Sequence, residues 1–225
     1  NRKDMINRDA HQAWDEKLRS EGKVPWWCDA KAGTGVLQLK QAAIRAGTEL
    51  NQRRLDRGMK NRALRVLTLG FPNVGKSALI NRLVQKKVVS SSRKAGVTRS
   101  LRWVRLGQDL DLLDAPGVLP PRLEDQNAAL KLAICDDIGQ AAYDTEQVAI
   151  NFMNLLEKLE NIKEAGIKSR CLQNRYGIFF NKSIKDKSSW LLSAADHHTS
   201  GDTMRMSQRL LDDFRKNLLG NISLE

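Results

Sequence analysis

Eight residues constrain this chain more than any other feature: Gly70-Phe71-Pro72-Asn73-Val74-Gly75-Lys76-Ser77. They follow a short apolar run, Val66-Leu67-Thr68-Leu69, and precede the helical pattern Ala78-Leu79-Ile80-Asn81-Arg82-Leu83. The pattern G-x-x-x-x-G-K-[ST] between a strand and a helix is a phosphate-binding loop. Glycines let the backbone fold tightly, so that amides of Asn73, Val74, Gly75 and onward to Ala78 face an anion. The following helix adds its positive end. Lys76 is placed to bridge terminal phosphates, and the Ser77 hydroxyl to bind Mg²⁺. An ordinary glycine-rich turn has no need of Lys and Ser at these two offsets.

A chain of 225 residues suits one or two domains with a real core. Its formal charge of +12 favours a polyanionic partner, nucleic acid before membrane. No apolar run is long enough to span a bilayer, and no secretory signal pattern is present. Cys28, Cys135 and Cys171 are odd in number and make neither metal-ligand spacing nor a disulfide framework. They read as reduced, mostly structural thiols of a reducing compartment, the cytoplasm, or the plastid stroma for a plant or alga. The chain begins at Asn1 and not at Met, so the expectation is that its true start is missing.

Residues 7–21 predict an amphipathic helix with Ala10, Trp14 and Leu18 on one face. Residues 24–28 predict a strand despite Pro25, and Val36 opens another helix. The basic run Arg53, Arg54, Arg57, Lys60, Arg62 and Arg65 reads as a solvated linker or an exposed helix. After the P-loop helix, residues 86–96 form a polar loop. Strands are expected over 101–106 and 110–113, and then a Pro/Gly loop over 114–121. Beyond 124 the helical periodicity dominates, over 127–138, 145–165 and 203–218, with 177–180 the one further candidate strand. The expected division is a domain of 1–123 and a helical domain of 124–225.

Two constellations narrow the nucleotide chemistry. Asp114-Ala115-Pro116-Gly117 follows an apolar strand, so Asp114 can hold Mg²⁺ through water and the Gly117 N–H can bind a γ-phosphate. Thr98, between the P-loop helix and the next strand, is placed to reach Mg²⁺ when a γ-phosphate is present. Near the start, Asn1-Arg2-Lys3-Asp4 is similar to the guanine-reading N-K-x-D pattern, in which a carboxylate accepts from guanine N1–H and the 2-amino group. Asp29-Ala30-Lys31 is similar to the S-A-K loop, whose backbone N–H reads guanine O6. The guanine motifs precede the P-loop, the reverse of the usual order. The expected fold is therefore α/β, a circularly permuted P-loop GTPase followed by a smaller all-helical domain.

With these residues in place, the chain resembles the circularly permuted GTPases of the YlqF/RbgA family, which assist assembly of the large ribosomal subunit. The resemblance is strongest over residues 70–83, Gly96-Val97-Thr98, and 110–119. Residues 131–139 look like the cyanobacterial and plastid branch. The resemblance implies GTP and GDP as ligands, hydrolysis supported by Lys76, Thr98 and Gly117, and Mg²⁺ at Ser77, Thr98 and Asp114. It implies K⁺ at Asn73. It also implies guanosine contacts at Asn1, Arg2, Asp4, Asp29, Ala30 and Lys31. Val118 stands where Ras-like GTPases carry a water-orienting Gln, which implies slow intrinsic turnover. The partners implied are a large-subunit precursor and its rRNA, with no DNA or membrane and a monomeric state. Arg2 for Lys and Asp29 for Ser depart from the family pattern. A permuted GTPase with another RNA client, such as the small subunit, and a binding module with little turnover are the alternatives.

Plainer readings apply elsewhere. His197-His198 reads as a solvated loop, and Trp26-Trp27 as a strand packed on the sheet. Lys86, Lys87, Arg93, Lys94, the 53–65 run, Lys163, Lys168, Arg170 and Arg175 read equally as solvated surface or as phosphate contacts to RNA.

Overall fold

The computed structural model describes residues 1–89, 101–120, 122–168, 170–179 and 187–225. They divide into two compact units. The first comprises Asn1–Lys3 and Pro25–Pro121, the second Asp4–Val24 and Arg122–Glu225.

In the first unit, three strands form a sheet ordered β1-β3-β2, with β1 at Leu64–Thr68, β2 at Arg102–Leu106 and β3 at Leu110–Asp114. β1 and β3 are parallel, with Leu64 opposite Leu110 and Thr68 opposite Asp114. β2 and β3 are antiparallel across the Gly107 turn, with Leu106 opposite Leu110. Alternation sends Val104 and Leu106, Leu110 and Leu112 into a core with Ile80 and Val89. Two helices cover that face, α2 (Val36–Leu55) through Ala43 and Ile44, and α3 (Lys76–Val84) through Ile80, Leu83 and Val84. The parallel pairing makes β1 and β3 end side by side, so the loops that leave them emerge together. This is where open α/β sheets bind ligands.

Residues 24–28 form no ladder, contrary to the strand expected there. Pro25 has no N–H to donate, and Val24 and Trp26 are exposed. Trp27 is half-buried in a non-strand segment, so the tryptophan pair is not a strand packed on the sheet.

The second unit is helical. α1 (Arg8–Ser20) is followed by α4 (Gln126–Cys135), α5 (Thr145–Leu159), α6 (Cys171–Tyr176), α7 (Lys187–Thr199) and α8 (Thr203–Arg215). Aspartates at 125, 144 and 202 cap α4, α5 and α8, each accepting from first-turn amides. Apolar residues of α5 and α8 meet in the core, where the Phe152 and Phe214 rings lie 5.0 Å apart and tilted. Arg215 is buried; it donates to the carbonyls of Ala133 and Ile134 at 2.9 and 2.8 Å and so satisfies the end of α4.

The unit boundary differs from a simple division near 124 because residues 4–24 group with the helices. Asn7 caps α1 and also donates to the Lys163 carbonyl. Lys163 pairs with Asp9 at 3.1 Å, and the Asp4 carbonyl accepts from Asn217 and Asn221. These bonds span more than 150 residues of sequence, beyond what local periodicity can read. His197 and His198 lie in the last turn of α7 and not in a loop; His198 Nε2 sits 2.9 Å from the Tyr176 carbonyl. Residues 177–179 form no strand, and residue 180 lies outside the described set.

No helix among the described residues is long and apolar enough to cross a membrane. Among the described residues no disulfide forms; Cys28 is buried and Cys135 exposed, so the expectation of mostly structural thiols does not extend to Cys135.

Candidate functional site

The site is built on the loops that follow β1 and β3. The P-loop leaves β1 and enters α3, whose capping position, Gly75, has no side-chain cap. A helix start whose capping residue is glycine is an arrangement suited to an anion. Gly75 holds φ +91°, and a Cβ there would strike the Asn1 side-chain nitrogen. Both demands require glycine. Asn73 also has a left-handed backbone, at φ +58°. Lys76 Nζ donates to the carbonyls of Gly70 and Phe71 at 3.0 and 2.6 Å, which holds the ammonium across the loop.

The loop after β3 packs against this loop. The Val118 N–H donates to the Gly70 carbonyl at 3.1 Å. Gly117 faces Pro72 so closely that a Cβ would lie 2.5 Å from the Pro72 nitrogen. Val118 is 59% exposed, an apolar side chain with no hydrogen-bonding group to offer water.

Asp114 is 1% exposed. Burial pushes its carboxyl above the usual carboxylate range, against the Lys76 charge, a hydrogen bond from Ser77 and the Arg102 charge. Among the described residues its Oδ1 has no hydrogen-bond partner. An orphaned, buried carboxylate oxygen beside a P-loop serine fits Mg²⁺, a hard cation that takes oxygen ligands and few protein groups. Thr98, the other expected Mg²⁺ contact, lies outside the described residues, as do Arg93 and Lys94.

Exchanging Asp114 for Asn separates these two roles. A carboxyl raised above its unfolded value binds more protons in the folded state, so its ionisation lowers stability as pH rises from the unfolded value through the folded one. In Mg²⁺-free, nucleotide-free buffer at pH 7, Asp114→Asn is expected to raise the melting temperature, by about 2–4 °C for each ~1 kcal/mol recovered. In Mg²⁺ the same variant is expected to bind nucleoside triphosphate more weakly. A calorimetric scan beside a Mg²⁺-titrated binding assay reads both signs.

The structure also brings the amino-terminal motif to the P-loop. Asn1 Nδ2 donates to the carbonyls of Val74 and Gly75 at 3.2 and 3.0 Å. Its Oδ1 accepts from the Ala30 N–H at 3.1 Å. Asp29 shapes the Ala30 loop, because its carboxylate accepts from the Lys31 N–H at 2.7 Å and its backbone bonds Thr34 and Gly33. A serine hydroxyl makes the same kind of turn more weakly, so Asp at this position preserves the loop. Arg2 adopts φ +60°, and the Lys3 N–H bonds the Cys28 carbonyl. Asp4 belongs to the second unit, where its carbonyl is held by two asparagines. Asn1, Ala30 and the P-loop are thus joined by hydrogen bonds.

A cleft of about 830 Å³ lies against this region, lined by Ala30, Lys31, Ala78, Asn81 and Arg82 among others. Its volume is that of a small-molecule site. Asn81 and Arg82 were not singled out from sequence as functional. Their one signal is two long polar side chains on α3 directly after Ile80, where an amphipathic helix turns from its core face. Of the basic residues considered for RNA, Arg175 is paired with Asp213 at 2.8 Å and Lys163 with Asp9, whereas Lys86 and Lys87 are exposed.

Parallel strands feeding a P-loop and an Asp-x-x-Gly loop define a P-loop nucleotide-binding protein. The model of the 50S ribosome-binding GTPase family matches residues 65–182, more than half of the chain. Ribosome biogenesis GTPase A of Bacillus cereus is 32% identical over 166 residues, 73% of this chain and 56% of that protein. The Priestia megaterium protein of the same name is 35% identical over 161 residues, 69% of this chain and 54% of that protein. The chain belongs to the YlqF/RbgA family of ribosome biogenesis GTPases, and it spans about half the length of these curated relatives. The structure of GDP-bound YlqF aligns over 100% of this chain and 80% of its own, with TM-score 0.58 and 20% identity. GNP-bound YlqF from T. maritima aligns over 99% of this chain and 77% of its own, with TM-score 0.57 and 19% identity. At that identity these two likenesses establish the α/β fold with its helical carboxy-terminal region.

Proposed function

We propose that this chain binds GTP in a circularly permuted G domain, hydrolyses it to GDP and phosphate, and works in the cytoplasm on a large-ribosomal-subunit precursor and its rRNA. The observation that carries the reading is Asn1, whose side chain joins the P-loop carbonyls of Val74 and Gly75 to the Ala30 N–H. Asn1, more than 70 residues before the P-loop in sequence, is thereby bonded both to that loop and to the loop bearing Ala30. That supports the order guanine motifs first, phosphate motifs second.

In this reading Asn1 holds the P-loop to the base-reading loop, and the Ala30 N–H transfers from Asn1 to guanine O6. Lys76 and the amides from Asn73 to Ala78 hold the phosphates and oppose the charge that develops as the terminal phosphoryl leaves. Gly117 offers its N–H to the γ-phosphate. Ser77, Asp114 and Thr98 hold Mg²⁺, which when bound neutralises charge on the phosphate oxygens. Asn73 is the K⁺ contact by resemblance. Val118 supplies no water-orienting group, so rapid turnover requires one from the ribosomal partner or from elsewhere in the protein.

The test follows GTP hydrolysis in potassium buffer with and without purified large subunits, small subunits serving as the control. Stimulation by large subunits alone is the expected result. Stimulation by small subunits instead would replace the client while leaving the GTPase, and turnover absent under every condition would leave a nucleotide-binding module.

A further inference from the structure

The cleft beside Ala30 carries more positive charge than a bound nucleotide accounts for. Its ionisable lining is Lys31, Lys40, Arg82, Lys86 and Lys87, and among the described residues no carboxylate lines it. None of the five forms an ion pair with a described residue, in contrast to Arg175 and Lys163. Like charges gathered round a concave surface repel one another and attract an anion. The phosphates of the proposed nucleotide belong at the start of α3, at Lys76 and Ser77. Lys86 and Lys87 follow the other end of that nine-residue helix, about 13 Å away along its axis. A phosphate held at Lys76 therefore leaves them without a counter-charge. Both walls of the cleft are fixed to α3. Asn81 Oδ1 accepts from the N–H groups of Val88 and Val89, both at 2.9 Å, its Nδ2 donates to the Val89 carbonyl at 2.8 Å, and its own carbonyl accepts from the Lys86 N–H at 3.2 Å. These bonds pin the turn that bears Lys86 and Lys87, and Val89 anchors it in the core. On the opposite side Arg82 Nη2 donates to the Lys31 carbonyl at 2.8 Å, and the guanidinium keeps further donors for an anion. Lys40 stands one turn into α2.

We propose that this cleft is a docking site for the phosphate backbone of RNA. The inference rests on the reading above that rRNA is a partner, and it names the face of the first unit that receives it. Ammonium and guanidinium groups bind phosphate oxygens through charge-assisted hydrogen bonds. No aromatic side chain lines the cleft, so it offers bases no stacking platform, and its contacts are to the backbone. Lys40 and the Lys86-Lys87 turn supply those contacts, and the Arg82 fork adds to them. Contacts of this kind position an RNA without reading its sequence. Ala30 and Ala78 line the same cleft, so RNA docked there lies beside the loop proposed to read guanine.

The experiment titrates the 225-residue chain against a fluorescent RNA hairpin over a salt series, and separately against fluorescent GDP in Mg²⁺. Phosphate contacts ignore sequence, so a hairpin of arbitrary sequence stands in for rRNA. Lys40→Ala, Lys86→Ala and Lys87→Ala combined are expected to weaken the hairpin at least about tenfold at low salt. They are also expected to flatten the slope of log affinity against log salt by about two to three, near one for each lysine. GDP affinity is expected to stay within about twofold of wild type, and melting curves check that the variant is folded. A second triple variant, Arg53→Ala, Arg57→Ala and Lys60→Ala, removes the same charge from the far end of α2 and the turn after it, and is expected to lose less than about threefold. Equal losses in the two triple variants, or an unchanged salt slope in the first, would overturn the cleft as the docking site while RNA remains a partner. A loss of GDP affinity matching the loss on RNA would assign the lysines to the nucleotide and overturn the inference as well. A wild-type chain that does not hold the hairpin even at low salt would overturn the RNA reading, and this inference with it.

Discussion

Replacing Lys76 by Ala is expected to lower GTP turnover about 10²–10³-fold, the usual effect of removing one preorganised group that opposes transition-state charge. The ammonium is held across the P-loop by the Gly70 and Phe71 carbonyls, so little reorganisation stands between its resting place and a phosphate. The fold should survive, because both carbonyls belong to a loop at the edge of the unit and outside its core. The substitution also removes the Lys76 charge that opposes the upward push of burial on the Asp114 carboxyl. Single-turnover hydrolysis at saturating GTP separates this loss from weakened binding. Turnover within threefold of wild type would remove Lys76 from the mechanism.

Gly117→Ala is the second large effect, and its origin is steric. The added methyl would sit 2.5 Å from the Pro72 nitrogen and 2.6 Å from its Cα. Those atoms are backbone and cannot swing aside as a flexible side chain can, so the two loops must separate. Separation lengthens the Val118 N–H to Gly70 bond and withdraws the Gly117 N–H from the proposed γ-phosphate position. The variant is expected to bind GDP within about threefold of wild type, to bind a non-hydrolysable GTP analogue more than about tenfold more weakly, and to lose hydrolysis, since the missing contact is made only to the terminal phosphate. Strain of about 1–3 kcal/mol is the matching cost in stability. Equal affinities for the two nucleotides would show that the β3 loop does not sense the terminal phosphate.

Residues 66–84 and 102–118 were legible because their physics is local, whereas Arg65, read with the basic run as linker or exposed helix, lies on β1. Short apolar runs mark β1 and β3, the glycines and Lys76 mark the loop, and Asp114 follows a buried strand. The helices α4, α5 and α8 were legible from helical periodicity, although they end earlier than expected, at Cys135, Leu159 and Arg215. Asp29 looked like a departure from the family pattern and is instead a stronger version of the same turn.

The sequence by itself determined the chemistry of the phosphate end, because a P-loop is a single contiguous stretch whose backbone conformation and charged groups come from neighbouring residues. Tertiary structure decided the rest. It placed Asn1 against Gly75, grouped residues 4–24 with the helices, left residues 24–28 without a ladder, and put His197 and His198 on α7. It also turned Asn81 and Arg82 from helix surface into ties on two loops. Each of these outcomes depends on a hydrogen-bond partner or a packing neighbour supplied by another element, and periodicity along the chain carries no record of that partner.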